Sequence, residues 1–187
     1  MKQLKILSLL IFCLQFQFIT GQQSINAEKS TINWKGKAAF NSYSPTGTIQ
    51  VKEGSISIEN NVITALNIVI DMTTLDHEIK DLKNHLRNKD FFEVKKYKTA
   101  TFTLSEPAKI INGGVLVVGA MTIKNTTKKE TIKLTVSHEG ALRLQFDFNL
   151  DRTEYGIKFN SPNFFKKLKE NAIADKFNLK GNLVFDR

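Results

Sequence analysis

From Thr31 to Phe185 the chain keeps returning to a two-residue rhythm of apolar and polar side chains. Ile32 and Trp34 alternate with Thr31, Asn33 and Lys35, and Ile49 and Val51 alternate with Thr48, Gln50 and Lys52. Leu66, Ile68, Ile70 and Met72 make one face of a long segment whose other face carries Asn67 and Asp71. The rhythm returns at Phe102 and Leu104, Leu116 and Val118, Met121 and Ile123, Ile132 to Val136, Leu142 to Leu150, and Phe177 to Phe185. Successive side chains of an extended strand point to opposite faces, so each such segment is a ribbon with one apolar side. Gly54, Asn60-Asn61, Asn112-Gly113-Gly114, the basic stretch Asn125 to Lys129, and Glu139-Gly140 separate the ribbons as turns. A one-sided sheet must bury that side, against a second sheet or by closing on itself. Closure also removes the unpaired edges. With roughly eight or nine strands, a closed barrel is just wide enough to be filled by side chains or to hold one small ligand. Alternation alone leaves both arrangements open, and leaves open whether the interior is hollow.

The period changes between Glu78 and Asn88. There Ile79, Leu82 and Leu86 recur at helical spacing with charges between them, which predicts one amphipathic helix packing a single face. Asp76 is placed to act as its N-cap or first-turn acid. Ser161-Pro162 opens a second, shorter helical candidate over Phe164 to Ile173. The chain has 187 residues, shows no repeat or linker, and fits one domain able to bury a core without cross-links.

The N-terminus reads as a secretory leader over residues 1–21. Lys2 and Lys5 precede a mostly apolar run from Ile6 to Ile19, broken by Gln15 and Gln17, and Ile19-Thr20-Gly21 offers small residues for cleavage. That run is shorter than the roughly 20 apolar residues a membrane span needs. The domain then covers residues 22–187, and its expected location is the periplasm or the cell exterior. The single cysteine, Cys13, lies inside the leader after Phe12, where a lipidation signal wants a small residue. The mature chain is therefore expected to carry no disulfide and no thiolate. The net charge of +9 clusters at Lys95-Lys96-Tyr97-Lys98, at Lys124 with Lys128-Lys129, and at Lys166-Lys167-Leu168-Lys169. No stacking motif accompanies these lysines, and export argues against nucleic acid. Solubility accounts for them, with weak attraction to an anionic membrane surface at about 1 kcal/mol per nearby Lys.

Three stretches carry a resemblance. Ile70-Asp71-Met72-Thr73-Thr74-Leu75 leads to Asn84-His85-Leu86, then Asp90-Phe91-Phe92 with Lys96-Tyr97, then Ala100-Thr101-Phe102. Gly119-Ala120-Met121-Thr122-Ile123 is followed by Thr127-Lys128, and Asp151-Arg152-Thr153-Glu154-Tyr155-Gly156-Ile157 comes later. With Ser30 to Trp34 as a first strand, this order resembles the YceI-like family across nearly the whole mature chain. Lys98 stands where that family usually has Pro, and Asn125 where it usually has Gly. The resemblance implies an all-β fold with one packed helix: an extended, eight-stranded, antiparallel, lipocalin-like β-barrel. It also implies an exported binding protein with no catalytic site and no cofactor. The implied partner is an apolar lipid, a polyisoprenoid or isoprenoid quinone, held inside the barrel.

For such a ligand the apolar strand faces offer Trp34, Ile68, Ile70, Met72, Phe102, Leu104, Met121, Leu144, Phe146, Phe148 and Phe177 as lining, with Phe40 near a mouth. Each CH₂ transferred from water contributes about 0.8 kcal/mol, though ordering lowers the return to roughly 0.3 kcal/mol per heavy atom for large ligands. Phe91 and Phe92 read as anchors of the helix to the barrel, and Asp151-Arg152 as a turn ion pair. The alternative function is a stress-related or structural barrel with a filled core acting through a protein partner. Catalytic chemistry lacks carriers. His77, His85 and His138 share no metal-binding spacing. Asp76-His77-Glu78 is a thin candidate for a loop metal, and His85 follows Asp81 at the spacing of a solvated helix pair. Asn125-Thr126-Thr127 reads as a turn although it matches a glycosylation sequon. A homodimer is left open.

Overall fold

The computed structural model describes residues 21–168 and 171–186. The strands are β1 (Gln23–Ser24), β2 (Thr31–Lys35), β3 (Thr46–Glu59), β4 (Val62–Asp76), β5 (Thr99–Leu104), β6 (Ala108–Lys109), β7 (Gly114–Ile123), β8 (Thr126–Ser137), β9 (Leu142–Asp151) and β10 (Lys176–Phe185). Between the strands lie a helix, α1 (Lys80–Arg87), and a 3₁₀ turn, Arg152–Tyr155. The sheet runs β3-β2-β10-β9-β8-β7-β5-β4, and pairing of β3 with β4 closes it into an eight-stranded antiparallel barrel. The long β3–β4 hairpin overhangs its neighbours. β1 pairs Gln23 with Ile56, and β6 pairs Ala108 with Ile63, so both overhanging edges are covered.

Hairpins turn where asparagine accepts left-handed backbone. Asn60 and Asn61 have φ of 49° and 66°, Asn112 and Gly113 50° and 75°, and Lys124 and Asn125 50° and 60°. Asn125 thus stands where glycine is usual because both residues tolerate that region. The β7–β8 turn is Lys124-Asn125, two residues, and β8 begins at Thr126 rather than after Lys129. Gly54 is not a turn either. It lies within β3, where a Cβ would sit 2.7 Å from the Asn67 carbonyl oxygen, so the residue permits close strand approach.

The helix forms later than its periodicity predicts. β4 runs on to Asp76, the His77 ring Nδ1 accepts from the Ile79 N–H at 2.9 Å, and Ile79 occupies the N-cap position with no side-chain cap. Asp76 is not the cap; its carboxylate pairs with Lys83 at 2.9 Å, which holds its pKa below the usual value. The second predicted helix does not form in the described part of Phe164 to Ile173. The backbone groups there are committed elsewhere: Ala39 N–H donates to Ala172 at 2.8 Å, Ala174 N–H donates to Lys37 at 2.9 Å, and Ile173 N–H donates to Asn160 at 2.8 Å. A helix would forfeit those bonds. The expected leader lies outside the described residues apart from Gly21.

The two ends of the barrel differ. One end carries the tight turns at Asn60 and Asn112, and its interior is packed by Ile56, Ile63, Val115, Val136, Leu142 and Phe185, all buried. The other end carries the long connections: residues 36–45, α1 with the segment to Lys98, and residues 152–175. There β8 and β9 part, because their ladder covers only Leu134–Ser137 against Arg143–Phe146. The 3₁₀ turn seals that seam. Tyr155 is buried and its hydroxyl donates to Glu130 at 2.7 Å, while Lys128 meets Glu154 at 2.9 Å.

Candidate functional site

Above the packed floor the barrel is hollow. The cavity is about 420 Å³, in the range of small-molecule pockets at roughly 300–1,000 Å³. Strand β4 contributes Leu66, Ile68, Ile70, Met72 and Leu75, β9 contributes Leu144, Phe146, Phe148 and Leu150, and β10 contributes Phe177, Leu179 and Leu183. Trp34 from β2, Phe102 from β5 and Met121 from β7 complete the wall with smaller aliphatic residues. The residue set named from alternation therefore faces the cavity, with one exception. Leu104 is half-buried and packs on the core outside it, while Phe40, expected near a mouth, stands 68% exposed in the 36–45 connection and is not part of the cavity lining.

Three glycines make room for the wall aromatics. A Cβ at Gly47 would come within 3 Å of the Trp34 ring, one at Gly119 would strike Phe102, and one at Gly181 would lie 2.5 Å from Phe146 Cζ. Each ring lies over a backbone that has no side chain of its own, so it covers the wall instead of crossing the cavity.

Sequence reasoning placed Phe91 and Phe92 as anchors only. Both line the cavity, with Leu82 and Leu86 of α1. Phe91 is 5% exposed, and Phe92 meets Phe177 edge-on at 6.3 Å. The helix and its following turn thus form a lid over one side of the barrel. The signal was the apolar stripe of α1 itself, whose partner surface the sequence does not reveal. His85 is not paired with Asp81. It turns inward, edge-on to Phe159 at 4.7 Å and Phe91 at 5.1 Å, with Nε2 3.7 Å from Asp90.

The buried polar side chains that border the cavity, Trp34 and Arg152, have protein partners. The Trp34 indole N–H donates to the Asp76 carbonyl at 3.2 Å, and the His77 ring stacks on Trp34 at 5.7 Å. Arg152 is 4% exposed and borders the cavity. Its Nε donates to Ala174 O at 3.1 Å, Nη1 to Ile157 O at 2.9 Å and Nη2 to Ile173 O at 2.9 Å. Its ionic partner is Asp175 at 3.6 Å, not Asp151. Asp151 instead accepts from the Thr153 N–H at 2.9 Å and the Thr153 hydroxyl at 2.6 Å, capping the 3₁₀ turn. Burial lowers the Arg152 pKa, and Asp175 and Asp151 oppose that shift. The arginine therefore spends its donors on the β9–β10 connection. Among the described residues no three His, Cys, Asp or Glu side chains gather as metal ligands would.

Of the cavity's lining residues, those that stand exposed are Lys37, Asn41, Tyr43 and Asn171. The mouth therefore lies between residues 36–45 and 171–174, which are bridged by the pair Ala38 and Ile173.

The family model described as the YceI-like domain matches residues 23–185. The chain belongs to the YceI-like family. Among curated YceI-like relatives, a UPF0312 protein of Vibrio vulnificus is 32% identical over 112 residues, covering 58% of this chain and 54% of the relative. A UPF0312 protein of Yersinia enterocolitica is 31% identical over 96 residues, 50% of each chain. The chain spans about half the length of the curated relatives it matches. Burkholderia cenocepacia BcnA shares the fold at TM-score 0.69 and 20% identity, over 86% of this chain and 98% of that one. A polyisoprenoid binding domain from Saccharophagus degradans does so at TM-score 0.67 and 16% identity, over 88% and 97%. The motifs of the YceI-like fold have visible work here. Arg152, Tyr155 and Gly156 close the seam and turn the chain, and Phe91-Phe92 roofs the cavity.

Proposed function

We propose that this chain is an exported, non-catalytic lipid-binding protein that holds an isoprenoid-type tail in its barrel. The cavity carries the reading: it is walled by aliphatic and aromatic side chains, packed at its floor and bordered by exposed residues between 36–45 and 171–174. It is nearly three times the roughly 150 Å³ of an apolar void that stays dry and takes up benzene. The buried polar groups at its border, the Trp34 indole and the Arg152 guanidinium, are spent on the protein, so the interior rewards a ligand tail that asks for no hydrogen bond. Family membership and a fold shared with a polyisoprenoid binding domain support the same class of ligand. A filled-core barrel acting through a protein partner gains no support from a hollow interior.

Trp34 is the single tryptophan of the chain and lies in the wall, so tryptophan emission reports on the site alone. Titration with a long-tailed isoprenoid quinone should quench it saturably, and the tail-less quinone head should not. Native mass spectrometry of protein from its own host should show a co-purifying apolar mass. Failure of both would sink the reading. Export adds a separate expectation, an N-terminus near Gln22 in the mature protein.

A further inference from the structure

We propose that residues 36–45 at the cavity mouth and the adjoining residues 158–168 form a docking surface for an anionic lipid membrane, through which the barrel exchanges its ligand. This rests on the reading of the cavity as a lipid site.

The loops are neighbours. Ala38 bridges Ile173, Ala39 N–H donates to Ala172, and Ile173 N–H donates to Asn160. They hold an unusual set of side chains. The large aromatics that stand exposed among the described residues are Phe40, Tyr43, Phe164 and Phe165, and all four lie in these loops. Phe164 and Phe165 are 48% and 50% exposed. Exposed apolar residues gathered in one place and rimmed by polar ones mark contact sites. The rim here is basic. Lys35, Lys37, Lys158, Lys166 and Lys167 flank the aromatics, and residues 35–45 and 158–168 contain no Asp or Glu. Lys158 Nζ lies 4.4 Å over the Phe164 ring. Of the acids near this end, Asp76 pairs with Lys83, Asp175 with Arg152 and Glu154 with Lys128.

Aromatic tips beside lysines match an interface of acyl chains under anionic head groups. Position decides the occupant. Tyr43 is both an exposed loop residue and part of the cavity lining, so the patch is continuous with the mouth. A tail leaving a bilayer at this surface would enter the barrel without crossing water. A partner protein with an acidic face would satisfy the lysines but gives no reason for the patch to surround the opening of a lipid-sized cavity.

The test is flotation of the purified protein with vesicles of phosphatidylcholine alone or mixed with phosphatidylglycerol. Quinone uptake from ethanol is measured in parallel by Trp34 quenching. Wild-type protein should float with the anionic vesicles, less so at high salt, because exposed charges are screened beyond about 8 Å at physiological ionic strength. Phe40→Ser/Phe164→Ser/Phe165→Ser should abolish flotation and slow uptake from vesicles, with uptake from ethanol unchanged. Each lysine near an anionic surface multiplies partitioning about fivefold, so Lys166→Glu/Lys167→Glu should reduce it at least about twentyfold. Ile111→Ser, at an exposed position of the packed end, should change nothing. Equal flotation with both vesicles, or flotation untouched by the loop variants, overturns the proposal. Uptake from ethanol without flotation overturns the docking surface and leaves the cavity reading standing. Flotation without uptake from ethanol overturns the cavity reading, and the delivery route falls with it.

Discussion

Ala100→Phe tests whether the barrel is hollow. Ala100 is buried on β5, opposite Ile70 of β4, and lines the cavity. In a close-packed core, inserting a benzyl group in place of a methyl forces neighbours off their rotamers and costs about 1–3 kcal/mol. Here the six added carbons have space to occupy and apolar atoms to touch. Each buried carbon contributes up to about 0.8 kcal/mol, so the variant should be as stable as the wild type or more so. Thermal unfolding of the ligand-free protein reads this directly. The same carbons displace ligand. At about 0.3 kcal/mol per heavy atom, losing six atoms of room removes roughly 2 kcal/mol of affinity, which is about twenty- to thirtyfold. Quinone titration followed at Trp34 supplies that number. A variant that melts lower while binding unchanged would refute the reasoning on both counts, since it would place the ligand elsewhere and the interior at ordinary density.

Arg152→Met should destabilise by about 3–5 kcal/mol in chemical denaturation, because it strands Asp175 and three carbonyls inside the protein; a smaller cost than about 1 kcal/mol would contradict its assigned role. Burial, then Glu130, pushes the Tyr155 phenol far above its usual range. Its neutral form is thus favoured by folding, so that share of stability is fully present below about pH 10 and declines as pH rises beyond it. Tyr155→Phe should lower stability at neutral pH by about 1 kcal/mol or more and flatten the alkaline slope of denaturation curves; an unchanged slope would count against the seam contact. Gly181→Val should drive the Phe146 ring into the cavity and weaken quinone binding, with melting lowered as well. Intact binding in a folded Gly181→Val protein would show that Phe146 does not bound the site.

Much of the wall was legible from residue order alone. Alternation identifies inward faces because it depends only on which side chains are apolar, and Ile68, Ile70, Met72, Phe146 and Phe148 all face the interior as that rule requires. Turn chemistry was legible for the same local reason, at Asn60-Asn61 and Asn112-Gly113. The misplacements are non-local. Gly54 looks like a turn until the Asn67 carbonyl is seen against it, and the helix expected at Phe164 to Ile173 loses its backbone partners to Lys37, Ala39 and Asn160. Arg152 sits beside Asp151 in the chain yet pairs with Asp175 across a loop.

Local pattern thus establishes strand faces, hairpin turns, one amphipathic helix and, through ordered motifs, family membership. Folding in three dimensions settled that the closed wall encloses space at one end and is packed solid at the other. It also placed Phe91, Phe92 and Tyr43 at the cavity and set Phe40 in the mouth connection, exposed and off the lining. The reason is that a cavity is a volume left over after side chains from every strand have been placed. No single segment carries that quantity, and Gly47, Gly119 and Gly181 help to set it by what they lack.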